Sequence, residues 1–399
     1  MSDYRRNINR NYFFIFFSNI NFTTGLWMIY LSQKGFSLIE LGILESVFHI
    51  SSMIFEIPSG AFADLIGRKF CRLGGRLALI LSLVVMYLAD NFIFQAAGFM
   101  ICAFGYNLES GAGEAFVYDS LKAMGREDKY LKIAGFIELA FQAATIISFA
   151  VGGLLASECG YFYVFLFSTA AALTSFMTGL AFVEVKNGGL PENDGEHEVP
   201  HIRNFRAFGK ILSDSFNLIR SKPRIMFLII FSEVIFAFTT SLFFYLQNYF
   251  KISGWNESKI GIVYAMSAGL SALSSIFAVK IEKKAEERRL LILLPVLLTV
   301  CLWGVGLTPF KAVFFIATGL IEGILIVVIS DYLNRLIPSD IRATVLSFQS
   351  MTFSLIMIIL FPLIGAVGEF LSLETAFRMM AGTATIFAVF YAVRFRRQP

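Results

Sequence analysis

The chain has 399 residues, of which 57% are hydrophobic and only 16% are charged, and its mean hydropathy is +0.70. Soluble globular proteins average roughly 45–50% apolar and about 25% charged residues. The composition therefore excludes a soluble domain and predicts a polytopic membrane protein. The formal net charge of +4 does not indicate nucleic-acid binding, because the basic residues do not form one solvated face.

Twelve apolar stretches are long enough to cross the hydrocarbon layer as helices, which takes roughly 20 residues each. In the first half they lie at 11–31, 38–59, 74–90, 92–117, 133–156 and 160–183, and in the second half at 225–249, 258–279, 290–307, 309–332, 343–366 and 372–393. A β-barrel would need alternating polarity in segments of about ten residues. These stretches are apolar on nearly all sides, so we predict an all-α protein with twelve transmembrane helices.

The distribution of Lys and Arg predicts the orientation of these spans. If both termini are cytoplasmic, the inner segments hold 28 of the 33 basic residues, and the outer segments hold only Lys34, Lys251, Lys259, Lys311 and Arg378. The positive-inside rule therefore predicts a multi-pass protein of the inner (plasma) membrane with both termini in the cytoplasm. The basic residues face anionic lipid along the cytoplasmic rim, so membrane lipid is an expected partner and nucleic acid is not.

A long polar stretch divides the chain into two halves of six spans each. We predict an N-terminal six-helix bundle over 1–184, a cytoplasmic linker over 185–222, and a C-terminal six-helix bundle over 223–399. Within the linker, apolar residues recur at helical spacing from Phe205 to Ile219. This pattern fits an amphipathic helix on the inner membrane face, and equally a partly solvated connector helix.

The loop between the second and third spans carries the most specific motif of the chain. Its pattern is GxxxDxxGRxxxR, which comprises Gly60, Asp64, Gly67, Arg68, Lys69 and Arg72. Asp64 lies one helical turn from Arg68 and can pair with it, and Gly67 permits a tight turn. Together with the 6+6 arrangement of spans, which covers the whole chain, this motif resembles the loop signature of the major facilitator superfamily.

The resemblance implies two pseudo-symmetric six-helix bundles and a cytoplasmic gate formed by this loop. An acidic residue that ends the fourth span commonly joins such a gate, and Asp119 has that place. Asp331 ends span ten in a similar context, as expected for parallel repeats. Within the superfamily the chain resembles the drug and proton antiporters, but it departs from them because it lacks their Gly-Pro pair in span five and their Arg in span four.

Ionisable residues within the spans are candidate functional groups, because a charge in lipid is costly and usually faces a cavity or a partner. Glu109, Glu233 and Glu322 approach the midplane of spans four, seven and ten. In the resembled fold those spans, with span one, line the central pathway. Additional candidates are Glu45, Glu56 and Glu138.

Three spans carry polar stripes at helical spacing. Span two has Glu45, His49, Ser52 and Glu56, span one has Asn19, Thr23, Trp27 and Tyr30, and span five has Glu138, Gln142 and Thr145. Because histidine titrates near neutrality, the first stripe fits a proton path. It also fits a hydrogen-bonded seam between helices, and the other two stripes fit either substrate binding or helix packing.

Basic residues are counted with the loops even where they lie near span ends, so no Lys or Arg is placed inside a span. This removes the usual binding groups for anionic substrates. Cavity carboxylates with abundant Phe and Met favour a lipophilic or cationic substrate. We therefore expect a secondary transporter, a multidrug-type antiporter that exports hydrophobic or cationic compounds against proton flow by alternating access.

Several alternatives stay open at this point. The chain could instead perform proton-coupled uptake or uniport of a neutral metabolite, or act as a non-transporting membrane receptor. An enzyme is not expected, because the sequence has no catalytic or phosphate-binding motif in a fitting context. No cofactor is expected apart from a coupling proton. The four isolated cysteines predict no metal site, and a monomer is expected.

Overall fold

The computed structural model describes residues 2–185, 220, 222–285, 287–337 and 342–396. These residues form thirteen α-helices and one short 3₁₀ turn. The helices of the first half are α1 (Ser2–Asn19), α2 (Trp27–Gln33), α3 (Leu38–Ile66), α4 (Arg68–Leu88), α5 (Phe92–Lys122), α6 (Tyr130–Glu158) and α7 (Tyr161–Leu180). Those of the second half are α8 (Pro223–Ile252), α9 (Glu257–Lys284), α10 (Glu287–Leu307), α11 (Lys311–Leu336), α12 (Arg342–Phe370) and α13 (Leu373–Arg396).

Ten helices within the described ranges are long and apolar enough to cross a membrane. The predicted spans 11–31 and 92–117 are not among the ten, for two different reasons. Span 92–117 is a continuous helix, α5, whose acidic and amide side chains lower its apolar character. Span 11–31 is divided into α1 and α2 by a turn over residues 20–26. That turn contains Asn21, Thr23, Thr24 and Gly25, which favour turns over helix.

The chain forms two compact units. Unit 1 comprises Met1–Phe22, Val47–Thr145 and Phe162–Asp214, and unit 2 comprises Thr23–Ser46, Ile146–Tyr161 and Ser215–Pro399. Unit 2 thus includes segments of α3 and α6 from the first half of the sequence. The division predicted at residues 184 and 222 stays a prediction, and most of the predicted linker with its amphipathic helix lies outside the described residues.

In unit 1, α4 and α5 approach each other closely at a pair of glycines. A Cβ atom placed on Gly75 would lie 2.8 Å from the carbonyl oxygen of Gly105, and one on Gly105 would lie 2.9 Å from that of Gly75. Real side chains do not tolerate such distances, so this crossing requires glycine on both helices. Close backbone approach of this kind is the usual way in which membrane helices gain packing energy.

Unit 2 uses the same device between α9 and α11. Gly319 and Gly323 lie one turn apart on α11, and their Cα atoms face the backbone of Ser267 and Ser271 on α9. In both cases a Cβ atom would collide with a carbonyl oxygen. Gly319 and Gly323 therefore form a small-xxx-small contact that fixes the distance between α9 and α11.

A proline in α12 creates a second junction in unit 2. Pro362 has no N–H, so the carbonyl of Ile358, four residues earlier, has no helical donor. The hydroxyl of Ser46 on α3 lies 2.9 Å from this carbonyl and can donate to it. Gly42 makes room for this contact, because a Cβ there would lie 2.8 Å from the Cα of Pro362.

We expect Gly323→Val to lower the thermal stability of the purified protein by several degrees, because the added side chain collides with the backbone of α9. Overpacking of this kind costs about 1–3 kcal/mol or more. The matched control is Gly382→Val on α13, where a Cβ meets nothing within 4 Å. Thermal unfolding of both variants in detergent measures the difference. Equal melting temperatures would contradict the assigned role of Gly323.

Candidate functional site

The turn between α3 and α4 is the centre of the predicted gate motif. Gly67 has φ +95°, a conformation that residues with a side chain rarely adopt, and α4 begins at the next residue. The carboxylate of Glu184 accepts the backbone N–H groups of Arg68 and Lys69 at 3.0 and 2.9 Å. A carboxylate at this position satisfies free donors of the helix and stabilises its N-terminus.

The gate residues that the sequence singled out lie around this turn. Arg68 makes an ion pair of 2.8 Å with Asp119 at the end of α5, and the ammonium of Lys69 donates to the carbonyl of Leu180 at 2.9 Å. Gly60 and Asp64 belong to α3, but the side chain of Asp64 lies outside the described part of the structure. Its pairing with Arg68 stays a prediction.

Arg72 occupies the second turn of α4 and has no exposed surface. Its guanidinium donates to Asn11 Oδ1 at 2.7 Å, and its Nη2 lies 3.0 Å from Glu109 Oε1. The rings of Phe14, Phe116 and Phe182 surround its Cζ, with centroids 4.2–5.2 Å away. One carboxylate and three aromatic faces therefore compensate a cation in an apolar environment.

This arrangement corrects two expectations from the sequence. We predicted that no Lys or Arg lies inside a span, whereas Arg72 and Arg76 are buried in a helix that is apolar enough to cross a membrane. The reason is that α4 already begins at Arg68, so both arginines are helical residues and not loop residues. That prediction left Glu109 without a positive partner inside the spans, and Glu109 is instead ion-paired with Arg72.

Glu233 on α8 has a different environment. It is 5% exposed, and its Oε1 accepts hydrogen bonds from Gln349 Nε2 on α12 at 2.7 Å and from the Ser232 hydroxyl at 3.1 Å. Both partners are neutral. Sequence reasoning missed Gln349, because no local pattern marks an amide that meets a carboxyl 116 residues away.

Glu322 on α11 resembles Glu233 in its surroundings. It is half-buried, and the neutral side chain of Thr239 on α8 lies beside it. Thr239 lies in the same helix as Glu233, so α8 carries polar partners for both acids. Glu233 and Glu322 belong to unit 2 and Glu109 belongs to unit 1.

The polar stripe of α3 contains both buried and partly exposed members. Glu45 and His49 are buried, while Glu56 is half-buried. Ser52 accepts a hydrogen bond of 3.0 Å from the amide of Asn107 on α5. At this residue the stripe therefore forms an interhelical seam.

The other predicted stripes are less continuous than expected. Asn19 donates to the carbonyl of Ile15 in its own helix at 2.8 Å, and Thr23 lies in the turn that follows. Trp27 begins α2 and packs against Phe244 with ring centroids 5.5 Å apart. Gln142 donates to Glu138 at 2.7 Å on an exposed part of α6.

In the described ranges, no three His, Cys, Asp or Glu side chains are grouped to hold a metal ion.

The second half contains a charge cluster in the place where the sequence suggested an echo of Asp119. Asp331 near the end of α11 pairs with Arg335 one turn later. Arg335 also pairs with Glu282 on α9 at 2.6 Å. As with Arg68 and Asp119 in unit 1, an arginine here ties one helix end to its neighbour.

Comparisons with known proteins agree with this architecture. The family model described as Major Facilitator Superfamily matches residues 11–316. The chain is 23% identical to the uncharacterized MFS-type transporter YxaM of Bacillus subtilis (strain 168), over 87% of this chain and 82% of that protein. It is 24% identical to the inner membrane transport protein YajR of Escherichia coli (strain K12), over 80% of this chain and 67% of that protein.

Solved structures of similar fold cover essentially the whole chain. The crystal structure of the nucleoside transporter NupG has a TM-score of 0.75 at 16% identity and covers 100% of both chains. That of a D-xylose-proton symporter has a TM-score of 0.70 at 14% identity and covers 98% of this chain and 94% of its own.

Replacement of Arg72 by Met should destabilise the protein strongly, because it leaves the Glu109 carboxylate without its cation. Breaking a buried pair from one side costs about 3–5 kcal/mol. The double variant Arg72→Met/Glu109→Met should recover much of this loss, and Arg394→Met, at an exposed position, should have little effect. Thermal unfolding in detergent measures all three. A double variant no more stable than the single one would contradict this account.

Proposed function

The chain belongs to the Major Facilitator Superfamily and is a secondary transporter in a membrane, which is not an enzyme class. We propose that it exports lipophilic or cationic small molecules in exchange for protons. Glu233 is the principal proton-accepting group, and Glu322 assists it. We place the protein in the inner (plasma) membrane as a monomer with both termini in the cytoplasm, with the proton as the coupling ion and no other cofactor.

The environment of Glu233 carries this proposal. It is a nearly buried carboxyl whose hydrogen-bond partners, Gln349 and Ser232, are neutral. A buried carboxylate without a fixed counter-ion is costly, and either a proton or a cationic substrate can remove that cost. The two ligands would compete for the same oxygen atoms, and such competition is the basis of exchange.

The partners of Glu233 suit both states of the group. The amide of Gln349 can donate to the carboxylate, and its carbonyl can accept from the protonated acid after a rotation of the amide plane. The Ser232 hydroxyl likewise can donate or accept. The carboxyl is thus supported while its charge changes, as a group that exchanges ligands in each cycle requires.

Glu109 takes a different role in this proposal. Its carboxylate forms an ion pair with Arg72, and loss of that carboxylate would leave the guanidinium buried without its counter-ion. We therefore assign Glu109 to the support of α4 and α5 and not to proton exchange.

The cytoplasmic gate lies at the ends of the same helices. It comprises Arg68 and Asp119, together with Gly60, Asp64, Gly67, Lys69 and Arg72.

A second candidate function is proton-coupled uptake or uniport of a neutral metabolite. The observation that favours it is the neutral character of the polar groups beside the two acids, namely Ser232, Thr239 and Gln349. Hydroxyl and amide groups of this kind can bind the hydroxyls of a polar, uncharged solute. The direction of proton-driven transport distinguishes this candidate from the exporter.

The exporter proposal predicts that Glu233→Gln abolishes proton-driven transport of a lipophilic cation. Glutamine keeps the size of the side chain but can neither release a proton nor attract a cation. The measurement is uptake of radiolabelled tetraphenylphosphonium into everted vesicles with an imposed proton gradient. Glu158→Gln, at an exposed position at the end of α6, is the matched control and should transport like the unmodified protein.

Two outcomes would contradict the exporter. Unchanged proton-driven transport by the Glu233→Gln variant would remove this residue from the coupling mechanism. Transport of uridine or xylose, and not of the cation, by the unmodified protein would favour the second candidate. The same vesicles serve for all three solutes, so differences in expression cancel.

A further inference from the structure

A cavity of about 360 Å³ lies in unit 2 at the C-terminal end of α8, away from the acids discussed above. The end of α8 with Trp255 beyond it, the turn between α10 and α11, and the first turns of α13 form its walls. Its charged lining residues are Lys311, Glu374 and Arg378. The volume is within the range of small-molecule sites, which is roughly 300–1,000 Å³.

Lys311 and Arg378 both reach the C-terminal end of α10. The ammonium of Lys311 donates to the carbonyls of Val305 and Thr308 at 3.0 and 3.2 Å, and Arg378 Nε donates to that of Gly306 at 2.9 Å. Cations at this end of a helix stabilise it by satisfying its last carbonyls. Helix capping accounts for the ammonium of Lys311 and for one N–H of Arg378.

The remaining donors of Arg378 have weaker partners. Guanidinium has five N–H groups, and Nη2 of Arg378 lies 3.7 Å from Glu374 Oε2. Glu374 already accepts the Tyr249 hydroxyl at 2.9 Å and pairs with Lys311 at 3.2 Å. Two cations face one carboxylate, so the charged lining has an excess of one positive charge, with N–H groups left for an anion.

The surroundings of the cavity are those of a lipid interface. The rings of Phe250 and Trp255 stack with centroids 4.6 Å apart in its wall. Leu307 lines the cavity and is 60% exposed, and Ile252 and Phe310, each next to a lining residue in the sequence, are 76% and 65% exposed. Tryptophan and exposed apolar side chains at the ends of spanning helices are typical of the level where headgroups meet acyl chains.

We propose that this cavity binds the phosphate of an anionic phospholipid. The phosphate oxygens accept the free N–H groups of Arg378, because a guanidinium fork matches phosphate geometry. The glycerol region lies against Trp255, and the acyl chains follow the exposed apolar edge. The site is independent of the transported substrate and of Glu233.

The test is native mass spectrometry of the detergent-purified full chain, titrated with phosphatidylglycerol. We expect one lipid to bind more tightly than the others, and Arg378→Gln to weaken that binding at least about tenfold, as expected for the loss of a charge-assisted contact. Ser253→Trp should block the cavity with the same result. Lys259→Gln removes an exposed charge from the start of α9 and should leave binding unchanged.

Three further measurements distinguish lipid phosphate from soluble phosphate, and lipid binding from helix capping. Glycerol 3-phosphate at matched concentration should not displace the lipid, and displacement would assign the site to soluble phosphate esters and overturn the lipid proposal. If Arg378→Gln and Lys259→Gln weakened phosphatidylglycerol binding equally, the weakening would be due to surface charge alone, and this result would also overturn the lipid proposal. If Arg378→Gln lowered the melting temperature but left the lipid affinity unchanged, Arg378 would serve only to cap α10, and the lipid proposal would be overturned.

Discussion

The guanidinium of Arg72 has no contact with solvent, so its charge has to be balanced by side chains of the surrounding helices. Asn11, Glu109 and three phenylalanine rings provide that balance. These groups come from α1, α5 and the segment after α7, and Arg72 therefore fixes three parts of unit 1 around α4. Arg68 lies one turn earlier on the same helix, and its contact with Asp119 depends on the position that Arg72 gives to α4.

Four acids of the described helices divide into two kinds according to their partners. Glu109 and Asp119 are compensated by arginines, so their charge is part of the architecture. Glu233 accepts hydrogen bonds from an amide and a hydroxyl group, and Glu322 lies beside the neutral Thr239, so neither acid has its charge fixed by these neighbours. This difference separates acids that hold helices together from acids that can exchange a ligand, and depth in the membrane alone does not reveal it.

Composition, span length and the loop motif were sufficient to predict an all-helical membrane protein of this superfamily, because lipid leaves the backbone few alternatives. The site was less predictable. Arg72 was misplaced because the sequence does not show that α4 begins at Arg68. The partners Gln349 and Glu184 were missed because they meet their targets through contacts between segments that are distant in the sequence. The turn at 20–26 was within reach of sequence reasoning, since Asn21, Thr23, Thr24 and Gly25 are all weak helix formers.

The junction of Ser46 with α12 has an evolutionary consequence. The hydroxyl of Ser46, which also lies 3.1 Å from the carbonyl oxygen of Gly42, can donate to the carbonyl of Ile358 the hydrogen that Pro362 lacks. An amino acid with an N–H at position 362 would make that hydroxyl redundant, whereas loss of the hydroxyl alone would strand a carbonyl in an apolar environment. During divergence of related sequences, the order of replacement is therefore constrained. Pro362 should be replaced before Ser46, and the residues at the two positions should covary.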